Sequence, residues 1–313
     1  MKKSTTTDKE NKTLNRGYFI GIVGALIWSS TAVFIRYLTT TYAMPALVLA
    51  FWRDFIVGVV LFVVIKITNT GQILRIDKKH TSFLILYGFV LSLFNTLWTY
   101  SVTFNGAAVS TVLVYTSSAF TALLGWWFLH ERVTIIKIFA ILLSITGCAF
   151  VAGANLPSTW QVNILGIVTG LVSGIGFAVY SLLGKSLTPR NINPWAGLMV
   201  SFFIAAIFLL LYQVVPALIL KEVPLPELFM LGNQWRGWLF LFLLAVIPTI
   251  GGYGLYTVSM GYLPASVANL IASSEPAFTA ILAFFFLGEM FTPVQLLGSL
   301  AIMTSVVIIR LMK

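Results

Sequence analysis

Long apolar runs alternate with short polar segments along almost the whole chain. Ten of these runs hold about 20 residues each, the length that an α-helix needs to cross a bilayer. They occupy residues 17–38, 44–66, 81–103, 106–129, 133–154, 163–187, 194–219, 236–261, 264–288 and 292–312, called spans 1 to 10 below. Several connections between them are only a few residues long, which indicates tight helical hairpins. The pattern therefore predicts an all-α integral membrane protein with ten transmembrane helices.

The order of small and polar positions occurs twice in the chain. The segment from Gly106 to Thr134 is repeated from Pro264 to Thr292, at an offset of 158 residues. Spans 1 and 6 align at an offset of 149, where Gly17, Gly21 and Ala25 match Gly166, Gly170 and Gly174. Because each copy holds five spans, the second copy must enter the membrane with the opposite polarity. Such inverted repeats are typical of transporters whose substrate site lies between the repeats.

The two copies divide the chain into three parts. Residues 1–16 form a hydrophilic N-terminal tail, residues 17–154 the first five-helix repeat and residues 163–312 the second. A polar stretch of this length before the first apolar run argues against a cleaved signal peptide. The two offsets differ by nine residues, which predicts an insertion in or near the 220–236 loop.

Composition and charge set the environment and the orientation. Of the 313 residues, 59% are hydrophobic and 9% are charged, so lipid must be the solvent for most of the surface. With the N-terminus inside, 15 of the 19 cations lie in inner segments, whereas outer loops hold only Lys221 and Arg236. The positive-inside rule then places both termini in the cytoplasm of a protein in the cell membrane. Since the cations follow the loops, the net charge of +10 indicates topology and no nucleic-acid partner.

The two sets of five helices, Arg53 in span 2 and the segment from Glu275-Pro276 to Gly288-Glu289 resemble the EamA-type branch of the drug/metabolite transporter superfamily. The resemblance covers residues 17–312, and its most specific part runs from Ala265-Ser266 to Glu289. It implies that spans 5 and 10 are peripheral while the other eight surround a central cavity. It also implies export of amino acids, metabolites or toxic compounds more often than uptake.

The first copy departs from this pattern at two positions. Ser118 stands where Pro276 stands in the second copy, and His130 stands opposite Gly288. A proline restricts helix geometry where it occurs. The departure leaves open whether spans 4 and 9 are broken in the same way.

Three ionisable residues fall near the middle of the bilayer: Arg53, Asp54 and Glu275. A charge at that depth costs about 2.5–3.5 kcal/mol on insertion scales, so such residues face a partner or a cavity. One interpretation is a structural ion pair, and the other is that Glu275 lines the transport route and binds a cation or a proton. We expect Arg53 and Glu275 to pair, directly or through water, in at least one conformational state.

Small and polar residues form matching stripes at helical spacing in spans 4 and 9, and these faces point inward, towards a cavity or a closely packed helix. Aromatic residues with a few polar groups suit an amphipathic or zwitterionic small molecule. The candidate substrate-binding residues are Trp28, Arg53, Asn95, Trp98, Ser117, Phe177, Tyr253, Tyr256 and Glu275. Glu131 and Glu289, at the ends of spans 4 and 9, are expected to cap the helices that follow them.

These features predict a secondary transporter, an exporter of a small amphipathic metabolite, amino acid or drug-like compound. The chain has no Walker-type loop that would bind ATP. Cys148 has no basic partner in sequence, and His80 and His130 are far apart, so we expect no enzyme activity, no metal and no cofactor. The alternative is an intramembrane enzyme or a receptor without transport activity. The expected partners are a small-molecule substrate and membrane lipid, and a homodimer is left open.

Overall fold

The computed structural model describes residues 2–68, 77–154, 156, 163–220, 228–287 and 292–311. Within these ranges every regular element is helical. The helices are α1 Lys2–Trp28, α2 Thr31–Tyr42, α3 Ala46–Ile67, α4 Thr81–Tyr115, α5 Ser117–Leu129, α6 Ile135–Val151, α7 Ile164–Lys185, α8 Pro194–Leu220, α9 Trp235–Leu244, α10 Gly254–Ser259, α11 Ala265–Ala272, α12 Glu275–Leu287 and α13 Pro293–Leu311. A π-helical segment, Ala245–Tyr253, joins α9 to α10, and short 3₁₀ turns occur at Lys78–His80 and Thr188–Arg190.

Among the described residues, eight helical stretches are long and apolar enough to cross a membrane. Span 5 falls short because α6 has 17 residues: it starts after the N-cap Thr134 and ends before Gly153, whose φ is +71°. Span 9 is divided into the shorter helices α11 and α12. The chain is therefore a multi-pass helical membrane protein, and the two predicted spans that are not among these eight stretches are spans 5 and 9.

The outer surface of the bundle is apolar. Ile135 is 85% exposed, Ile164 is 74% exposed and Phe285 is 73% exposed. Exposed apolar area on this scale is unfavourable in water and is what lipid requires. The membrane assignment therefore agrees with the packing as well as with hydropathy.

Helix α4 contains a reversal of chain direction. Its backbone hydrogen bonding is continuous from Thr81 to Tyr115, yet the Ser101 hydroxyl donates to the Ser110 hydroxyl at 2.8 Å. Residues nine positions apart on a straight helix would be separated by about 13.5 Å along the axis. The helix therefore turns back between these two serines, which separates span 3 from span 4.

Equivalent contacts recur in the two copies. A Cβ at Gly21 of α1 would lie 3.3 Å from Ile271, and a Cβ at Gly170 of α7 would lie 2.6 Å from Leu113. The glycines are related by the offset of 149 and their neighbours by the offset of 158. In both cases the small residue lets two helices approach closely.

Helices α6 and α13 lie side by side. A Cβ built on Gly147 of α6 would be 2.7 Å from the Gly298 carbonyl oxygen of α13, a contact that no larger residue would permit. These two helices pack mainly against each other.

Spans 4 and 9 are broken at matching positions. The chain leaves α-helical geometry at Thr116 in span 4 and at Ser273 and Ser274 in span 9, and Thr116 matches Ser274 at the offset of 158. The Thr116 hydroxyl donates to the Leu113 carbonyl at 2.5 Å, and the Ser274 hydroxyl bonds back to its own helix in the same way. Such bonds compete with the helix. Both spans are therefore interrupted at matching positions, although the proline, Pro276, occurs only in span 9.

Two further helices are irregular at the same level of the bundle. Span 1 is interrupted at Ser29 and Ser30, directly after Trp28. Span 8 adopts π-helical geometry up to Tyr253 and contains Pro248. Interrupted helices and π-segments occur frequently at functional sites in proteins of this kind. These four irregular stretches surround the site described next.

Candidate functional site

The irregular stretches, together with α3, α4 and α7, enclose a central cavity of about 110 Å³ that is partly open to solvent. Seven of the nine predicted site residues line it: Trp28, Arg53, Asn95, Trp98, Phe177, Tyr253 and Glu275. The structure thus brings these residues together, while their role in binding a substrate stays a prediction.

Aromatic rings form one wall of the cavity. The Trp28 ring lies 4.2 Å from the Tyr253 ring and 5.9 Å from the Phe177 ring, measured between centroids. Phe94 extends the wall, with its ring 5.1 Å from that of Phe177. These rings come from α1, α4, α7 and the π-segment. They offer a broad apolar surface whose faces attract cationic groups.

A buried ion pair lies at the edge of the cavity. Arg53 Nε donates to Asp54 Oδ1 at 2.9 Å, and Arg53 Nη2 is 2.8 Å from the same oxygen. The Asn95 amide donates to Asp54 Oδ2 at 3.1 Å, so both carboxylate oxygens have partners. Arg53 is 7% exposed and Asp54 is fully buried. Asp54 therefore balances the charge of Arg53 within α3.

Glu275 has a different partner from the one expected. The Tyr115 hydroxyl donates to Glu275 Oε2, joining α4 to the first residue of α12. In this conformation Arg53 pairs with Asp54 and Glu275 with Tyr115, so the expected contact between Arg53 and Glu275 is not formed. Each of the two charged residues thus has its own partner: Arg53 bonds to its chain neighbour Asp54, and Glu275 bonds to Tyr115 of α4.

The other two predicted residues lie behind the cavity, in a network called the polar floor: Ser117, Asn269, Ser181 and Tyr256. The Ser117 hydroxyl donates to Asn269 Oδ1 at 3.1 Å. The Asn269 amide donates to the Ser181 hydroxyl at 3.3 Å, and that hydroxyl lies 2.6 Å from the Tyr256 hydroxyl. Each of the four residues lies three or four positions along the chain from a residue of its own span that lines the cavity. In every case the floor residue is the one nearer to the same end of the bundle. In this structure Ser117 and Tyr256 therefore lie in the floor, and their role in substrate binding stays a prediction.

Beyond the floor, the bundle is held together at what we call the closed end, comprising Glu131, Lys185, Ala265 and Ser266. Glu131 accepts hydrogen bonds from the Ala265 amide at 2.6 Å, the Ser266 amide at 3.4 Å and the Ser266 hydroxyl. Lys185 Nζ donates to the Met260 carbonyl at 2.7 Å and the Leu263 carbonyl at 2.9 Å. These bonds join α5 to α11 and α7 to the end of span 8.

The role expected for Glu131 is therefore wrong. It was predicted to cap the helix that follows it, but α6 is capped by the Thr134 hydroxyl, which accepts from the Lys137 amide at 3.3 Å. Glu131 instead satisfies the free N–H groups at the start of α11, where a helix favours an anion. Glu289, for which the same role was predicted, lies outside the described residues.

The cavity also contains five residues that the sequence did not single out: Thr31, Ile35, Phe94, Thr111 and Tyr115. Val114 and Ala272 line it as well, and both lie on the small and polar stripes predicted for spans 4 and 9. Thr111, Val114 and Tyr115 are spaced so that they share one face of a helix, and this spacing could have identified them as cavity residues. The predicted stripe passed through Val114 and Ser117, and the break at Thr116 turns Ser117 away from the cavity.

A bundle that crosses the membrane many times around a central cavity defines the class of membrane transporters. The sequence model of the EamA-like transporter family matches this chain twice, at residues 15–153 and 164–311. The chain therefore belongs to the EamA-like transporter family, within the drug/metabolite transporter superfamily, as the resemblance predicted.

Individual relatives agree with this family. The uncharacterized transporter YwfM of Bacillus subtilis is 26% identical over 92% of this chain and 91% of the relative. The uncharacterized inner membrane transporter YicL of Salmonella typhimurium is 26% identical over 95% of both chains. The threonine/homoserine exporter RhtA of Salmonella typhimurium is 26% identical over 74% of this chain and 72% of its own length. A solved crystal structure superposes with a TM-score of 0.73 at 16% identity, covering 94% of this chain and 96% of the other, which shows the shared fold.

Proposed function

We propose that this protein is a secondary transporter that exports a small amphipathic metabolite, amino acid or drug-like compound across the cytoplasmic membrane by alternating access. The observation that carries the proposal is the contrast along the bundle axis. A cavity of about 110 Å³ lies on one side of the polar floor, and hydrogen bonds of Glu131 and Lys185 join the helices on the other. A transporter that alternates between two openings needs one side closed at a time.

The proposed topology has ten spans in two inverted repeats, residues 17–154 and 163–312, with both termini in the cytoplasm. Support comes from the two matches of the family model and from the recurring glycine contacts at Gly21 and Gly170. In this orientation the closed end faces the cytoplasm and the cavity opens outward. Export is favoured by the likeness to RhtA, which is named as an exporter.

Transport is tested by flux in proteoliposomes. Purified protein is reconstituted, and uptake of labelled amino acids and amphipathic compounds is compared with uptake by protein-free vesicles. Trp98→Ala removes a cavity ring, and Trp126→Ala removes a ring that is 57% exposed on the outer surface. We expect the first variant to lower flux by about tenfold and the second to leave it unchanged. If no compound moves faster than through bare lipid, the proposal fails.

Topology is tested separately by thiol labelling. Single cysteines at Asn11 and Asn233 are placed in a Cys148→Ala background, since Cys148 is buried. Asn233 is chosen because it is exposed and because the neighbouring Gly232 has a φ of +44°. An impermeant reagent added to intact cells is expected to label only the cysteine at position 233. Labelling of both positions from one side would contradict the inverted repeat.

A further inference from the structure

We propose that the transported compound carries a carboxylate, and that the guanidinium of Arg53 binds it. This inference rests on the proposed function, because it names the chemical class of the substrate of the same cavity. It makes Arg53 the residue that selects the substrate.

The starting observation is an incompletely bonded cation beside the cavity. Arg53 Nη2 is buried and forms no hydrogen bond with any described residue. It lies within ion-pair distance of Asp54 Oδ1, 2.8 Å away, without hydrogen-bond geometry. A buried donor that lacks an acceptor is unfavourable. A carboxylate in the cavity would supply that acceptor after a small swing of the guanidinium, whose side chain already borders the cavity.

The surroundings hold the guanidinium at the cavity edge. Asp54 accepts from Arg53 Nε and is itself fixed by the Asn95 amide of α4. Because Asp54 is bonded to Nε, the edge of the planar guanidinium that carries the two Nη atoms can bind another anion. A planar guanidinium with two parallel N–H groups matches a carboxylate in geometry as well as in charge.

The remaining walls favour a monoanion with an apolar body. Asp54 and Glu275 are both carboxylates at or beside the cavity, so a dianionic phosphate would meet more repulsion than a carboxylate. The aromatic wall of the cavity consists of the Trp28, Phe177 and Tyr253 rings. These rings suit a hydrocarbon or aromatic group attached to the carboxylate.

The test compares acids with their own amides. Straight-chain carboxylates from acetate to octanoate, and 3-phenylpropionate, are each titrated into purified protein by calorimetry beside the matching amide. Acid and amide have nearly the same shape and differ in charge. We expect at least one acid to bind about tenfold more tightly than its amide. If no acid binds more tightly than its amide, the proposal is overturned.

Variants then assign the preference to Arg53. Arg53→Lys keeps the charge that balances Asp54 but loses the planar fork, and we expect the acid-to-amide preference to fall by about tenfold. Arg190→Lys, a matched change at an exposed arginine, is expected to leave it unchanged. A folded Arg53→Lys protein with the full preference would overturn the proposal.

A second variant decides the case if Arg53→Lys does not fold. Asp54→Asn removes the competing carboxylate, while the amide oxygen can still accept from Arg53 Nε. The preference for the acid is expected to increase, and an unchanged or lower preference overturns the proposal. These experiments measure binding, whereas the proposed function is tested by flux in proteoliposomes. A failure of the carboxylate proposal can therefore be distinguished from a failure of the transport proposal.

Discussion

The closed end and the cavity place their charged groups in different ways. At the closed end, Glu131 and Lys185 bond to backbone groups of neighbouring helices. At the cavity, Arg53 and Glu275 bond to the side chains Asp54 and Tyr115. The first arrangement joins helices through groups that every helix end provides. The second depends on the particular residues present.

This difference separates the residues that join the helices at the closed end from the residues proposed to select the substrate. Backbone donors and acceptors are available whatever the sequence, so the closed end depends mainly on the carboxylate of Glu131 and the ammonium group of Lys185, with the Ser266 hydroxyl as a further partner of Glu131. The cavity requires a defined set of rings and charges, and exchange of those side chains would change the compound bound. We expect substitutions at the two places to have separable effects.

Glu131→Ala should disrupt the closed end most strongly. The variant removes the acceptor for the Ala265 amide and for two groups of Ser266. A hydrogen bond to a charged group contributes about 1.5–3 kcal/mol, so losing this set should raise the population open at that end by about tenfold or more. Ala268, which is 1% exposed, serves as the position of a reporter cysteine in a Cys148→Ala background. The rate of labelling by a hydrophilic thiol reagent is measured.

Glu131→Gln is the matched control for this prediction. It keeps an oxygen that can accept from the Ser266 hydroxyl and loses the charge, so labelling should fall between the wild type and Glu131→Ala. Equal labelling of all three proteins would show that Glu131 does not hold this end closed.

The polar floor separates the two regions, and Ser181→Ala should weaken it. The change removes a partner of the Tyr256 hydroxyl and of the Asn269 amide, both of which are buried. Leaving such groups without a partner costs about 1–3 kcal/mol. The free energy of unfolding in detergent is expected to fall by that amount.

Ser173→Ala provides the comparison on the same helix. Ser173 is as buried as Ser181, but its hydroxyl donates to the Gly170 carbonyl of α7 itself, at 2.7 Å. Its loss should change the free energy of unfolding by less than about 1 kcal/mol. A similar loss in both variants would mean that the floor contributes no more than an ordinary buried serine.

The sequence predicted the class of fold because hydropathy and repetition are properties of the chain itself. The apolar runs, Arg53 in span 2 and the second copy around Glu275 were sufficient to predict a helical membrane protein of this family. Most ring and charge positions of the cavity could also be predicted, since residues on one helical face must share an environment. Trp28, Phe177 and Tyr253 are examples.

The pairing of charges could not be predicted in the same way. Arg53 was expected to meet Glu275 in at least one conformational state, and Asp54 was a competing partner although adjacent residues on a helix point about 100° apart. The long arginine side chain spans that angle and reaches Asp54 Oδ1 at 2.9 Å. Likewise the helix is interrupted at Thr116, directly after Tyr115, whose hydroxyl donates to Glu275. Composition and periodicity carry no signal for these local choices.

Tyr115→Phe should produce the smallest effect, and it is confined to the cavity. The variant removes the hydroxyl that donates to Glu275, and Glu275 borders the cavity, where water can replace the phenol. The free energy of unfolding should therefore change by less than about 1 kcal/mol. The freed carboxylate should bind the amine probe phenethylamine about twofold to fivefold more tightly, measured by calorimetry, because the phenol no longer competes for it. Tyr212→Phe removes a hydroxyl that contacts Ser92 instead and should leave amine affinity unchanged. Weaker amine binding by Tyr115→Phe would show that the tyrosine helps to hold the cation. Glu275 would then not be a carboxylate available to ligands, and it would no longer differ in this respect from Glu131 at the closed end.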